Sequence, residues 1–87
     1  MSRLILAAER VLQARLLIQK ARDLDVPAPV EGGKNNFSYI AQVKAFLQDA
    51  RDLVKYIPKT PSATVEIKEQ VRQILQEADR ANQEILH

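Results

Sequence analysis

Two proline-bearing breaks cut this chain into three segments, and each segment repeats apolar residues at alternating intervals of three and four. The first break is Asp25-Val26-Pro27-Ala28-Pro29-Val30-Glu31-Gly32-Gly33-Lys34-Asn35-Asn36, which holds both glycines of the chain. Each proline pushes its predecessor out of helical geometry, and the glycine pair frees the backbone further. The second break is Pro58-Lys59-Thr60-Pro61. Here Thr60 is expected as an N-cap, with Pro61 at the first helical position, where its missing N–H costs nothing. A three-and-four period is helical, and no stretch alternates as a strand would.

The first segment, residues 2–24, opens on Ser2 as N-cap and carries the seam Leu4, Ala7, Val11, Ala14, Ile18, Ala21. Alanine at every second seam position allows close helix approach. This segment has apolar side chains to spare. Ile5, Leu12 and Leu16 lie on a second side, and Leu6, Leu17 and Leu24 on a third. The second segment, residues 38–57, has the seam Ile40, Val43, Leu47, Ala50, Val54, Ile57, with Tyr39, Phe46 and Leu53 beside it. The third, residues 62–86, has Ile67, Val71, Ile74, Ala78, Ala81 and Ile85, flanked by Leu75 and Leu86. The chain ends inside this pattern with no stop signal, which points to a fragment of a longer protein or a subunit of an oligomer.

An internal repeat links the three. Ile18-Gln19-Lys20-Ala21-Arg22-Asp23-Leu24 matches Leu47-Gln48-Asp49-Ala50-Arg51-Asp52-Leu53, and Leu75-Gln76-Glu77-Ala78-Asp79-Arg80-Ala81 is a looser copy. Such spacing is compatible with a helical array. It also follows wherever common helix formers fill an amphipathic period.

Composition removes most chemistry. The 87 residues include no Cys, and the single His is the last residue. That excludes a thiol nucleophile, a disulfide, a Cys-based zinc site and any multi-His metal site. The carboxylates fall on polar faces among Lys and Arg, without the Glu-x-x-His pairing of di-metal bundles. Gly32-Gly33-Lys34 lacks the preceding strand, the spacing and the following Ser or Thr of a phosphate loop. The chain is therefore read as no enzyme, with no cofactor. No apolar run reaches membrane-spanning length, and Glu9 and Arg10 interrupt the N-terminal apolar run too early for a signal peptide. Absence of Cys fits an intracellular, cytoplasmic or nuclear setting.

The formal charge is +2, from 13 Lys+Arg and 11 Asp+Glu. Lys44, Arg51 and Lys55 share one face of the second segment, beside Gln48, and form a candidate phosphate-binding stripe. Asp49 and Asp52 border them, and no exposed aromatic is evident for base stacking. Residues 62–87 sum to −2, so opposite faces of the packed segments can pair.

Two stretches carry a family resemblance: Leu16-Leu17-Ile18-Gln19-Lys20-Ala21-Arg22-Asp23-Leu24-Asp25-Val26-Pro27 and Val43-Lys44-Ala45-Phe46-Leu47-Gln48-Asp49-Ala50-Arg51-Asp52-Leu53. Together they resemble the helical region of JmjC/ARID-type histone lysine demethylases, over about half the chain, with Leu53 where that pattern often has an aromatic. The pattern is similar to spectrin-like bundles almost as closely. The demethylase resemblance implies a structural, protein-contacting module of a nuclear enzyme, with the iron and 2-oxoglutarate chemistry elsewhere.

The expectation is an all-α, three-helix antiparallel bundle acting as a protein-interaction or scaffolding module. Its docking residues are Ile5, Leu6, Leu12, Leu17 and Leu24 on the first helix, and its partner is another protein or a second copy of the chain. On this reading Leu6→Asp or Leu17→Asp leaves the monomer folded and abolishes association. The alternative is a nucleic-acid-binding or phosphate-binding module using Lys44, Arg51 and Lys55.

Overall fold

The computed structural model describes residues 7–61 and 63–86, and among them it forms three helices and no strand. They are α1 (Ala7–Asp23), α2 (Phe37–Val54) and α3 (Val65–Leu86), each packed against both others. The expected all-α, three-helix fold is what the chain adopts. Ser2, Leu4, Ile5, Leu6, Ser62 and His87 lie outside the described residues. No described helix is long and apolar enough to cross a membrane.

Local chemistry sets the helix ends. Asp23 closes α1 ahead of Val26-Pro27, and Lys20 and Arg22 occupy its last turn, where cations complement the negative end of the helix dipole. The connection to α2 runs through two 3₁₀ turns, Pro29–Glu31 and Gly33–Asn35. Between them Gly32 takes φ 103°, a left-handed conformation that glycine adopts without steric cost, and its N–H donates to the Pro29 carbonyl. Asn36 then caps α2: its Oδ1 accepts from the Tyr39 N–H at 3.0 Å, while its Nδ2 donates to the Glu31 carbonyl at 2.6 Å.

The second helix stops earlier than its apolar pattern predicts. Pro58 lies four residues beyond Val54 and has no N–H for the Val54 carbonyl, so α2 ends there. A turn at Lys55-Tyr56 and a 3₁₀ turn over Ile57–Lys59 follow, and Ile57 still reaches the core. The cap of α3 is Thr64 rather than Thr60. Thr64 Oγ1 accepts from the Ile67 N–H at 3.1 Å, whereas Thr60 closes the 3₁₀ turn and donates through Oγ1 to the Tyr56 carbonyl.

The core is built from the three seams, except that Tyr39 is buried where the apolar period of the second segment placed Ile40, which stays only half-buried. Val11, Ala14, Ile18 and Ala21 of α1 meet Val43, Leu47, Ala50 and Val54 of α2 and Val71, Ile74, Ala78 and Ala81 of α3, with Tyr39 and Ile57 closing the cluster. Leu47, Ile74, Val43, Val54 and Val71 are its largest fully buried side chains, and each contributes roughly 1.5–3 kcal/mol relative to an exposed position. Ala14, Ala21, Ala50, Ala78 and Ala81 have no exposed surface. They let the backbones approach, as the alanines in the seams predict.

Ion pairs fix the directions. Arg15 pairs with Glu77 at 3.3 Å and Arg22 with Glu84 at 2.6 Å. Both partners advance by seven residues in the same sense, so α1 and α3 run parallel, and α2 returns between them. Arg51 of α2 reaches Asp79 at 2.7 Å. The acidic α3 is thus held on both flanks by arginines, which accounts for the charge asymmetry of the sequence.

The internal repeat has the same structural meaning in its first two copies. Ile18 and Leu47 are buried, and Ala21 and Ala50 are fully enclosed. Gln19 donates to Asp23 at 2.8 Å and Gln48 to Asp52 at 2.9 Å. Arg22 and Arg51 both cross to α3. The third copy carries Asp79 at the position those arginines occupy, so it accepts where they donate.

Candidate functional site

With its seam turned inward, α1 presents the opposite face to solvent. At 100° per residue, Leu16 lies on the midline of that face and Leu12 about 40° to one side, and Leu12 and Leu16 are 58% and 54% exposed. These are the large apolar side chains that the bundle leaves uncovered along α1. Exposed leucines stacked at i and i+4 on one helix form a continuous ridge rather than scattered apolar contacts. Around them stand Ala8, Glu9, Gln13, Gln19, Lys20 and Asp23, all exposed.

The five docking residues read from the sequence separate in the structure. Leu12 lies on the exposed ridge. Leu17 and Leu24 are partly buried against the core, so they belong to the bundle rather than to an outward face. Leu17 lines an open groove of about 460 Å³ between α1 and α2, with Leu53 beside it and Arg10, Asp49 and Asp52 at its edges. Ile5 and Leu6 lie outside the described residues. Leu16, which the sequence reading placed with Leu12 but left out of the docking set, takes their place on the ridge. The signal was available: Leu17 is seven residues from both Arg10 and Leu24, one flank of the seam, whereas Leu16 stands on the far side of the helix from Ala14.

The basic stripe is largely engaged within the chain. Arg51 is committed to Asp79, and Lys55 pairs with Asp52 at 3.1 Å. Hydrogen bonds from Lys55 and Gln48 hold the Asp52 carboxyl below its ordinary pKa, and the bond to Asp52 raises that of Lys55. Lys44 lines a shallow groove of about 550 Å³ between α2 and α3, with Gln48, Arg51 and Asn82. An exposed aromatic does stand near the stripe, contrary to the sequence expectation. Tyr56 is 60% exposed, with Lys55 Nζ 5.1 Å and Lys59 Nζ 5.8 Å from its ring centre. These cations sit over the ring itself, as in cation–π contacts.

At the far end, Val30 on the connection between α1 and α2 and Phe37 at the start of α2 are also open to solvent. They are single side chains in different turns and form no helical ridge. Among the described residues no three His, Asp or Glu side chains gather in a metal-binding group.

Comparison with protein-family models, curated proteins and solved structures finds no match to this chain.

Proposed function

We propose that this chain is a non-catalytic helical protein-interaction or scaffolding module that docks through the outer face of α1. The observation that carries this reading is the Leu12–Leu16 ridge. Burying it in a partner removes apolar surface from water and breaks no contact that the bundle uses, since both residues stand outside the core. Helix-face docking of this kind is anchored by side chains at i and i+4. Leu17 and Leu24 support the face from behind by fixing the rotation of α1 on α2.

The test is a Leu12→Asp/Leu16→Asp double variant. Its helical circular dichroism should match the parent, while association measured by sedimentation or calorimetry disappears. Association that survives in a folded double variant refutes the reading.

The alternative, phosphate or nucleic-acid binding through Lys44, Arg51 and Lys55, draws support from the Lys-flanked Tyr56. It requires Arg51 and Lys55 to leave carboxylates they already hold. A salt titration of binding to a generic duplex tests it, and no binding at low salt removes it.

A further inference from the structure

Taking the outer face of α1 as the docking surface, as proposed above, we infer that its occupant is a second copy of this chain, packed α1 against α1 in antiparallel orientation. The charges beside the ridge carry the inference. Glu9 and Lys20 are both exposed, and among the described residues neither takes part in an ion pair within the chain. From the midline between Leu12 and Leu16, Glu9 lies about 40° and Lys20 about 60° to the same side, at 100° per residue.

Their heights match as well as their angles. Leu12 and Leu16 are centred on residue 14, and Glu9 and Lys20 on the midpoint of residues 14 and 15. A two-fold axis crossing α1 there brings Leu12 of one copy onto Leu16 of the other. It keeps each flank against the same flank of its mate. Glu9 and Lys20 each stand about 8 Å along the helix from the axis, on opposite sides of it. Glu9 of each copy therefore meets Lys20 of the other, and the contact forms twice.

An isologous interface requires such self-complementarity: a patch whose positive and negative groups exchange under the two-fold. The apolar ridge sits at the centre and the charges at its rim, the arrangement found in protein interfaces. Two leucines from each copy bury less surface than a standard interface, so the dimer is weak and reversible.

Light scattering or sedimentation over a concentration series at low salt reads the result. The weight-average mass should rise from 9.9 kDa toward about twice that value as concentration increases. Glu9→Lys and Lys20→Glu alone each set like charges together twice and should weaken association about tenfold. An equimolar mixture of the two variants should restore it, because both contacts then join opposite charges. Leu12→Asp/Leu16→Asp should abolish it with helical dichroism unchanged. A parent chain that stays at 9.9 kDa throughout overturns the second copy as occupant and leaves the outer-face reading to a different protein partner. A dimer that survives the double leucine variant overturns both. Failure of the mixture to restore the dimer overturns the antiparallel pairing.

Discussion

The same substitution at two leucines of α1, five residues apart, should have opposite consequences for folding. Leu17 is partly buried and lines the α1–α2 groove with Leu53, Asp49 and Asp52. Leu17→Asp forfeits much of the roughly 1.5–3 kcal/mol that a buried leucine contributes. It also sets a new carboxylate beside Asp49 and Asp52, where like-charge repulsion adds to the loss. The cost is about 2–4 kcal/mol, against a total of about 4–13 kcal/mol for a domain of this size. Leu12 is 58% exposed on the opposite face. Leu12→Asp costs little beyond the difference in helix propensity, about 0.5 kcal/mol. At roughly 4–8 °C per kcal/mol, thermal unfolding followed by circular dichroism should fall by about 10–25 °C for Leu17→Asp and by less than about 5 °C for Leu12→Asp. The comparison belongs at protein concentrations too low for association, since a dimer stabilises its own fold by mass action. Equal losses at the two positions would show that the outer face of α1 is packed, and would refute the reasoning.

Three further outcomes follow from the bundle. Ala50→Leu forces a larger side chain into a fully enclosed position between helices and should cost about 1–3 kcal/mol by overpacking, read as a lower urea midpoint at unchanged slope. Gly32→Ala places a Cβ 3.3 Å from the Asn36 backbone at φ 103°, so it should destabilise by about 1–3 kcal/mol in the same assay. Lowering pH through the acid range should destabilise the fold. Asp52, through Lys55 and Gln48, and Glu69, through Arg72, have pKa values depressed in the folded chain. Their contribution is present above the unfolded carboxylate values and lost as pH falls through the folded ones. A thermal midpoint that holds constant from neutral pH down through the carboxylate range contradicts this.

The seams were legible in the sequence because a helical period leaves little freedom. Among the described residues, thirteen of the fourteen buried apolar side chains, all but Tyr39, are expected seam positions. That agreement extends to the alternating alanines and to the pairing of an acidic α3 with arginines of the other helices. What the seam alone leaves open is which of its flanks a neighbouring helix covers. Leu17 and Leu24 stand on one flank, about 80–100° from the seam centre at 100° per residue, and packing against the core covers them, while Leu12 and Leu16 lie farther round and stay exposed. The caps show the same limit. Thr60 and Thr64 both precede helical pattern, and the choice falls to Thr64 because the Ile57-Pro58-Lys59 turn consumes the residues before it. Tyr56 escaped notice as an exposed ring because its exposure depends on α2 ending at Val54, a consequence of the proline four residues on.

Docking through the outer face of α1, as proposed above, has a direct readout. Backbone amide spectra recorded over a dilution series test it most directly. Signals of residues 9–20 on the outer face, with Leu12 and Leu16 foremost, should move with concentration, while those around Lys44, Arg51 and Lys55 stay fixed. Shifts concentrated on α2 or α3 would contradict the outer-face reading, and spectra invariant to the highest concentration would overturn the second copy as its occupant.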